Sequence, residues 1–164
     1  MRFLMNSSTI FSMLTMTKMP EAFALIHGGK NNPDIIGVAN IYRSRWDSGI
    51  VMEIELQHLP NTKENAPRFF GLHIHEKGDC SDNLMHTGMH YNPTNAVHPY
   101  HLGDLPPVLN SDGYSYMAFY DSFLSLDEII GKSIIVHSQR DDFTTQPSGD
   151  SGDKIACGVI RHTR

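Results

Sequence analysis

No stretch of the sequence approaches the ~20 consecutive apolar residues needed to cross a bilayer, so no membrane span is expected and the chain reads as soluble. It also lacks a basic excess: the formal net charge is -5, and the 13 Lys and Arg residues are scattered. Without a cationic patch, nucleic acid is excluded as an expected partner. Charged residues make up only 19% of the chain and hydrophobic residues 40%, which excludes the composition of a disordered protein. Cysteine is scarce, with Cys80 and Cys157 alone. Two thiols suffice for one disulfide, a pair of metal ligands or two inert core residues, and their number does not choose among these.

Helical periodicity is also nearly missing. Only LSLDEIIG, residues 124–131, suggests a helical turn, with Ser125 and Glu128 in capping-box spacing. From Met52 to His58, apolar and polar residues alternate with the period of a half-buried strand. Further strand-length segments lie at 23–27, 35–42, 69–75, 114–120, 133–137 and 155–160. Turn-forming clusters separate several of them: GGKNNPD, WDSG, NSDG and QPSGDSGD. Many short strands joined by such turns predict one antiparallel sandwich or barrel. The stretch 76–113 is then a long surface loop, and structureless loops of that length are usually functional, disordered or tied down by something other than backbone pairing.

The amino end, with one Arg and an apolar run broken by Asn6, Ser7, Ser8 and Thr9, is like a weak signal peptide. Met5, Met13, Met16 and Met19 are alternative translation starts. Residues 1–21 are therefore expected to form a loose tail or weak signal-like segment and residues 22–164 the folded domain. The compartment stays open, with the cytoplasm favoured over export.

What the sequence has in excess is histidine. Six of its ten histidines lie between Gly71 and Pro106. His73 and His75 alternate along a predicted strand, so both rings leave the same face about 6.6 Å apart. His98, His101 and Asp104 follow one another at x2 spacing, offering two imidazoles and a carboxylate from one segment, a donor set suited to zinc. His90, hemmed by Gly88 and Pro93, can supply a fourth donor. His137 ends the apolar strand SIIVH, where a buried ring needs a partner to offset its desolvation. Six histidines and one aspartate are one donor short of two four-coordinate ions, which suggests that one ligand is shared. His27, His58, His86 and His162 fit neither set.

The segments GLHIHEKGDC, GMHYNP, HLGDLP, VH followed by DD, and ACGVI occur in this order and resemble the copper,zinc superoxide dismutase family from about Phe23 to Ile160. The resemblance implies an eight-stranded antiparallel Greek-key β-barrel with a long metal-binding loop. It implies copper on His73, His75, His90 and His137, and zinc on His90, His98, His101 and Asp104, with His90 bridging the two. It further implies a Cys80–Cys157 disulfide and Asp141 as the carboxylate that orients ligand histidines. The implied activity is dismutation of superoxide, with His90 as proton carrier.

Three features depart from the family pattern, the trimmed segment from His137 to Lys154 among them. Lys154 stands three residues before Cys157, where most members carry an arginine, so the charge beside copper is kept and the rigid fork of donors lost. Reduced but not absent activity is the expectation, with Lys154, and to a lesser extent Arg140 and Lys77, attracting the anion. The loop with two residues between His98 and His101 is short, as in the bacterial type of the family. The alternative is a noncatalytic copper- or zinc-binding protein that buffers or delivers metal on the same fold. A cupin-like barrel also uses His-x-His on a strand, but Glu76 directly after His75 does not fit its spacing. Oligomeric state is left open, a homodimer included.

Overall fold

A computed structural model describes residues 14–17, 19–61 and 68–164. Asn6, Ser7, Ser8, Thr9, Met5 and Met13, on which the signal-like and start-site readings rest, lie outside the described residues. Residues 14–17, within the stretch read as a tail, pair with the chain beyond: Thr15 forms a bridge with Ser44, and the Met16 amide donates to the Arg43 carbonyl at 3.1 Å.

The strands are β1 (Ala22–Gly28), β2 (Ile36–Arg43), β3 (Ile50–Gln57), β4 (Phe69–Phe70), β5 (Leu72–His75), β6 (Val108–Leu109), β7 (Ser115–Asp121), β8 (Ser133–His137), β9 (Lys154–Val159) and β10 (Arg161–His162). One antiparallel sheet of eight strands runs β5-β8-β9-β1-β2-β3-β7, with β10 added on β1; β4 and β6 form a second, two-stranded sheet. Neighbours far apart in sequence, such as β3 with β7 and β9 with β1, are the long returns of a Greek key. The fold is all-β, as the strand and turn rhythm predicts.

Alternation decides which faces meet. In β3, Met52, Ile54 and Leu56 are wholly buried, Glu53 and Glu55 are partly exposed and Gln57 is exposed. Ala22, Ala24 and Ile26 of β1 and Ala39 and Ile41 of β2 join them in one core with Leu72, Ile74, Ile134 and Val136. Slipping any of these strands by one residue would turn its apolar set to solvent, so the register is fixed by burial.

Phe69 to His75, read as one strand, is two. β4 pairs with β6 while β5 pairs with β8, and the chain changes sheets at Gly71. On β5 the odd and even positions part company: Leu72 and Ile74 enter the core, while His73 and His75 point to the opposite face and are still buried, under the long loop.

That loop corrects the sequence reading, because backbone pairing does hold it. It runs along the free edge of β5, forming bridges between His73 and Asp104 and between His75 and His90. The amides of Ile74 and Tyr91 donate to Gly103 and Ile74 carbonyls at 2.8 and 2.7 Å, and Leu105 donates to Leu72 at 3.2 Å. An edge strand otherwise leaves such groups unpaired, and the loop uses them. Gly103 permits the approach, since a Cβ there would overlap the Ile74 carbonyl oxygen.

Cys80 and Cys157 form a disulfide with Cα atoms 5.9 Å apart and a sequence separation of 77. Packed with Leu84 and Ile135, it ties the start of the loop to β9. The expected capping box appears in altered form at the helical turn Leu126–Ile129. There the Ser125 hydroxyl donates to the Glu128 carboxylate at 2.8 Å and makes no bond to the backbone of the turn.

Candidate metal centre

Two groups of donors converge beneath the loop. His73, His75, His90 and His137 have ligand atoms within 4.8 Å of one another, and so do His90, His98, His101 and Asp104. His90 alone belongs to both among the described residues. β5 supplies His73 and His75, the bulged end of β8 supplies His137 opposite Lys154, and the loop supplies the rest. The four histidines assigned to neither group, His27, His58, His86 and His162, are all exposed.

Hydrogen bonding fixes which nitrogen of each ring is free. His75 Nδ1 faces the Gly88 carbonyl at 2.9 Å and His137 Nδ1 faces the Gly152 carbonyl at 3.2 Å. Carbonyls only accept, so in the neutral rings both Nδ1 atoms carry the proton and both Nε2 atoms are lone pairs. Those two lone pairs face each other at 3.3 Å. His73 Nε2 donates to Asp141 Oδ2 at 2.7 Å, leaving a buried Nδ1 without partner, and the Nε2 of His90 is buried and unpartnered too. Buried acceptors aimed at one another are unfavourable unless a cation lies among them.

The second group repeats the pattern. His98 Nε2 donates to Asp141 Oδ1 at 2.9 Å, so its Nδ1 is a lone pair 3.1 Å from Asp104 Oδ2. His90 Nδ1 stands 2.7 Å from Asp104 Oδ1, and His101 Nδ1 is 3.2 Å from Oδ2. Three imidazoles and one carboxylate in a closed array match a structural zinc site. Four imidazoles suit copper. The donors present therefore fit both ions.

Asp141 spans the two groups through one oxygen to each. Burial acts to raise its carboxyl pKa, but hydrogen bonds from His73, the Phe143 amide and His98 outweigh burial and hold it below the usual carboxylate range. Burial also acts against the Asp104 charge, and the hydrogen bond and charge of His90, with His98 and His101, again leave it lowered. Both carboxylates are thus anions, able to accept from ring N–H groups or to bind metal.

The groups differ in access. His75, His90 and His137 line a cleft of about 450 Å³ together with Met89, Gly152 and Lys154, whereas His98, His101 and Asp104 do not line it. Lys154 Nζ donates to Thr87 Oγ1 at 2.8 Å and to the Gly88 carbonyl at 3.1 Å, the same carbonyl that positions His75. Burial lowers the pKa of this ammonium. Arg140 and Lys77, the other cations named from the sequence, do not line the cleft: Lys77 is exposed, and Arg140 sits with Phe69, Pro107 and Phe143 around a different hollow.

Burial, aided by the His137, His90 and Lys154 charges, lowers His75 from an ordinary 6.5 to about 2. Burial, aided by His73, His90 and Lys154, lowers His137 to about 3. In the metal-free protein the unfolded chain therefore takes up protons below about pH 6.5 that the folded chain refuses. Stability should fall as pH drops from 6.5, by about 2 kcal/mol per ring at pH 5, and should not depend on these rings above pH 7. Urea unfolding of metal-free protein at pH 8 and pH 5 reads this directly; equal midpoints would contradict it.

An all-β Greek-key frame carrying a four-histidine group beside a cleft and a three-histidine, one-aspartate group joined to it by a single imidazole defines a two-metal protein of the copper and zinc type. Residues 35–160 match the family model described as copper/zinc superoxide dismutase (SODC). The chain belongs to the copper/zinc superoxide dismutase family, whose metals are copper and zinc. Among relatives, the extracellular superoxide dismutase [Cu-Zn] of Drosophila melanogaster is 31% identical, with 93% of this chain and 92% of that one aligned. The superoxide dismutase [Cu-Zn] of Legionella pneumophila is 30% identical over 79% of this chain and 81% of its own. The crystal structure of the clock protein EA4 superposes with a TM-score of 0.72 at 28% identity, over 89% of this chain and 97% of that one. Relatives from an insect and a bacterium do not single out the bacterial type that the short loop suggests.

The seven members of the two groups are named from the sequence, but the groups that aim them are not: the Gly88 and Gly152 carbonyls and Thr87. Backbone acceptors leave no trace in side-chain spacing. The Gly88 and Gly152 glycines were the only available signal, since both have positive φ.

Proposed function

We propose that this protein dismutates superoxide, with copper held by His73, His75, His90 and His137 and zinc by His90, His98, His101 and Asp104. The observation that supports it most is the sharing of His90 between a group that lines a cleft and one whose other members do not line it. Bound copper supplies the one-electron oxidation of one superoxide to oxygen and the one-electron reduction of a second to the peroxide level.

The chain's own residues supply position and protons. His90 is kept in place through Nδ1, on the Asp104 side, while Nε2 faces the open group and can hold a proton. The reduced oxygen species needs two protons to leave as hydrogen peroxide; His90 Nε2 gives one and solvent the other. Gly88, Gly152 and Asp141 fix the remaining rings in the tautomers that direct lone pairs inward. Lys154 has spent two of its three N–H directions on Thr87 and Gly88, leaving one for the anion.

A lysine with one free donor orients a small anion less well than an arginine fork. With one copper and one zinc per chain confirmed by elemental analysis, Lys154→Ala should lower the copper-dependent rate of superoxide decay by about tenfold. Lys154→Arg should raise the rate, and added salt should slow the wild type more than Lys154→Ala. Tight binding of both metals with no accelerated decay would leave the noncatalytic copper- and zinc-binding reading in place.

A further inference from the structure

The zinc-side ligand His98 is gripped by a residue outside both donor groups. Its amide donates to Gln146 Oε1 at 3.0 Å, and its carbonyl accepts from Gln146 Nε2 at 2.7 Å. A side-chain amide paired with both backbone groups of one residue replaces a strand partner for a segment that has none. The two residues are 48 apart in sequence, so Gln146 joins the loop after β8 to the metal-binding loop.

The loop that carries Gln146 is itself braced. Asp142 accepts from the Thr144 and Thr145 amides, each at 2.8 Å, its own amide donates to the Gly149 carbonyl at 2.9 Å, and Gly149 N–H donates to Thr145 at 2.7 Å. Gly149 lies so close to Asp141 and His98 that a Cβ there would overlap Asp141 Oδ1. The same loop thus holds His98 twice: through the ring by Asp141 and through the backbone by Gln146.

We infer that Gln146 is a positioning residue for the zinc ion. It fixes the His98 backbone so that Nδ1 reaches the His90, His101 and Asp104 donors while Nε2 stays on Asp141. The inference rests on the reading of that group as the zinc site. Outer partners of metal ligands typically govern affinity by ~10- to 100-fold, and His73, held by Asp141 and β5, does not depend on Gln146.

The test compares wild type with Gln146→Ala and Gln146→Glu. Zinc and copper dissociation constants come from chelator competition, the visible spectrum from cobalt bound in place of zinc, and stability from unfolding of the metal-free proteins. Glutamate keeps the length but cannot donate to the His98 carbonyl, so both variants should weaken zinc by ~10- to 100-fold and alter the cobalt spectrum, while copper affinity changes by less than about threefold. Zinc affinity within about twofold of wild type, or zinc and copper weakened in parallel with metal-free stability, would overturn it. A wild type that binds no zinc would instead overturn the zinc-site reading, and this inference with it.

Discussion

His90→Ala should cost the protein more than any other single ligand replacement, because the lesion falls on both metals at once. Superoxide decay should drop by about 10²- to 10⁴-fold from loss of the proton carrier alone. Both ions should also be retained less well on dialysis. His101→Ala is the informative contrast: it removes a donor from the closed group only, so zinc should be lost while copper stays. The difference follows from His90 being common to both donor groups. Elemental analysis after dialysis, alongside stopped-flow superoxide decay, distinguishes the two; normal zinc retention in His90→Ala would contradict the shared-ligand arrangement.

Breaking the Cys80–Cys157 bond should produce the largest loss of stability. The chain-entropy relation for a closed loop of 77 residues gives roughly 4 to 5 kcal/mol. For a chain of this size that corresponds to a fall in Tm of roughly 10 to 15 °C in a Cys80→Ser, Cys157→Ser double variant. The effect should reach the metal centre. Asp82, Asn83 and Leu84, just after Cys80, all have positive φ, a conformation that needs outside support. The bond holds this turn against β9, and the turn leads into Thr87 and Gly88, which position Lys154 and His75. Copper should therefore dissociate faster from the double variant than from wild type. An unchanged Tm would mean that the segment is held by its β5 contacts alone.

How far the molecule could be read in advance depended on the range of each interaction. β3 and β8 were legible within two residues because burial imposes a period on the strand itself. The break at Gly71 was not, because β4 and β5 choose different partners, Val108–Leu109 and Ser133–His137, and no local pattern reports a choice of partner. The long loop was misjudged for the same reason: its pairing is with the edge of β5, which only the folded sheet presents. All seven members of the two donor groups were legible, since ligand chemistry restricts residue type and most of them are closely spaced in sequence. Arg140 lines a different hollow from the cleft, a placement that nearness in sequence to His137 does not report. Gln146 carried no signal of its own, for a glutamine in a turn is ordinary until the backbone of His98 is seen beside it.

The most direct test of the account is the rate of superoxide decay in the presence of protein loaded with one copper and one zinc per chain, measured against the metal-free protein. Copper-dependent acceleration is expected, below the diffusional ceiling of about 10⁹ M⁻¹s⁻¹ because Lys154 stands where an arginine fork would orient the anion. Decay no faster than with the metal-free protein, at full occupancy of both sites, would contradict it.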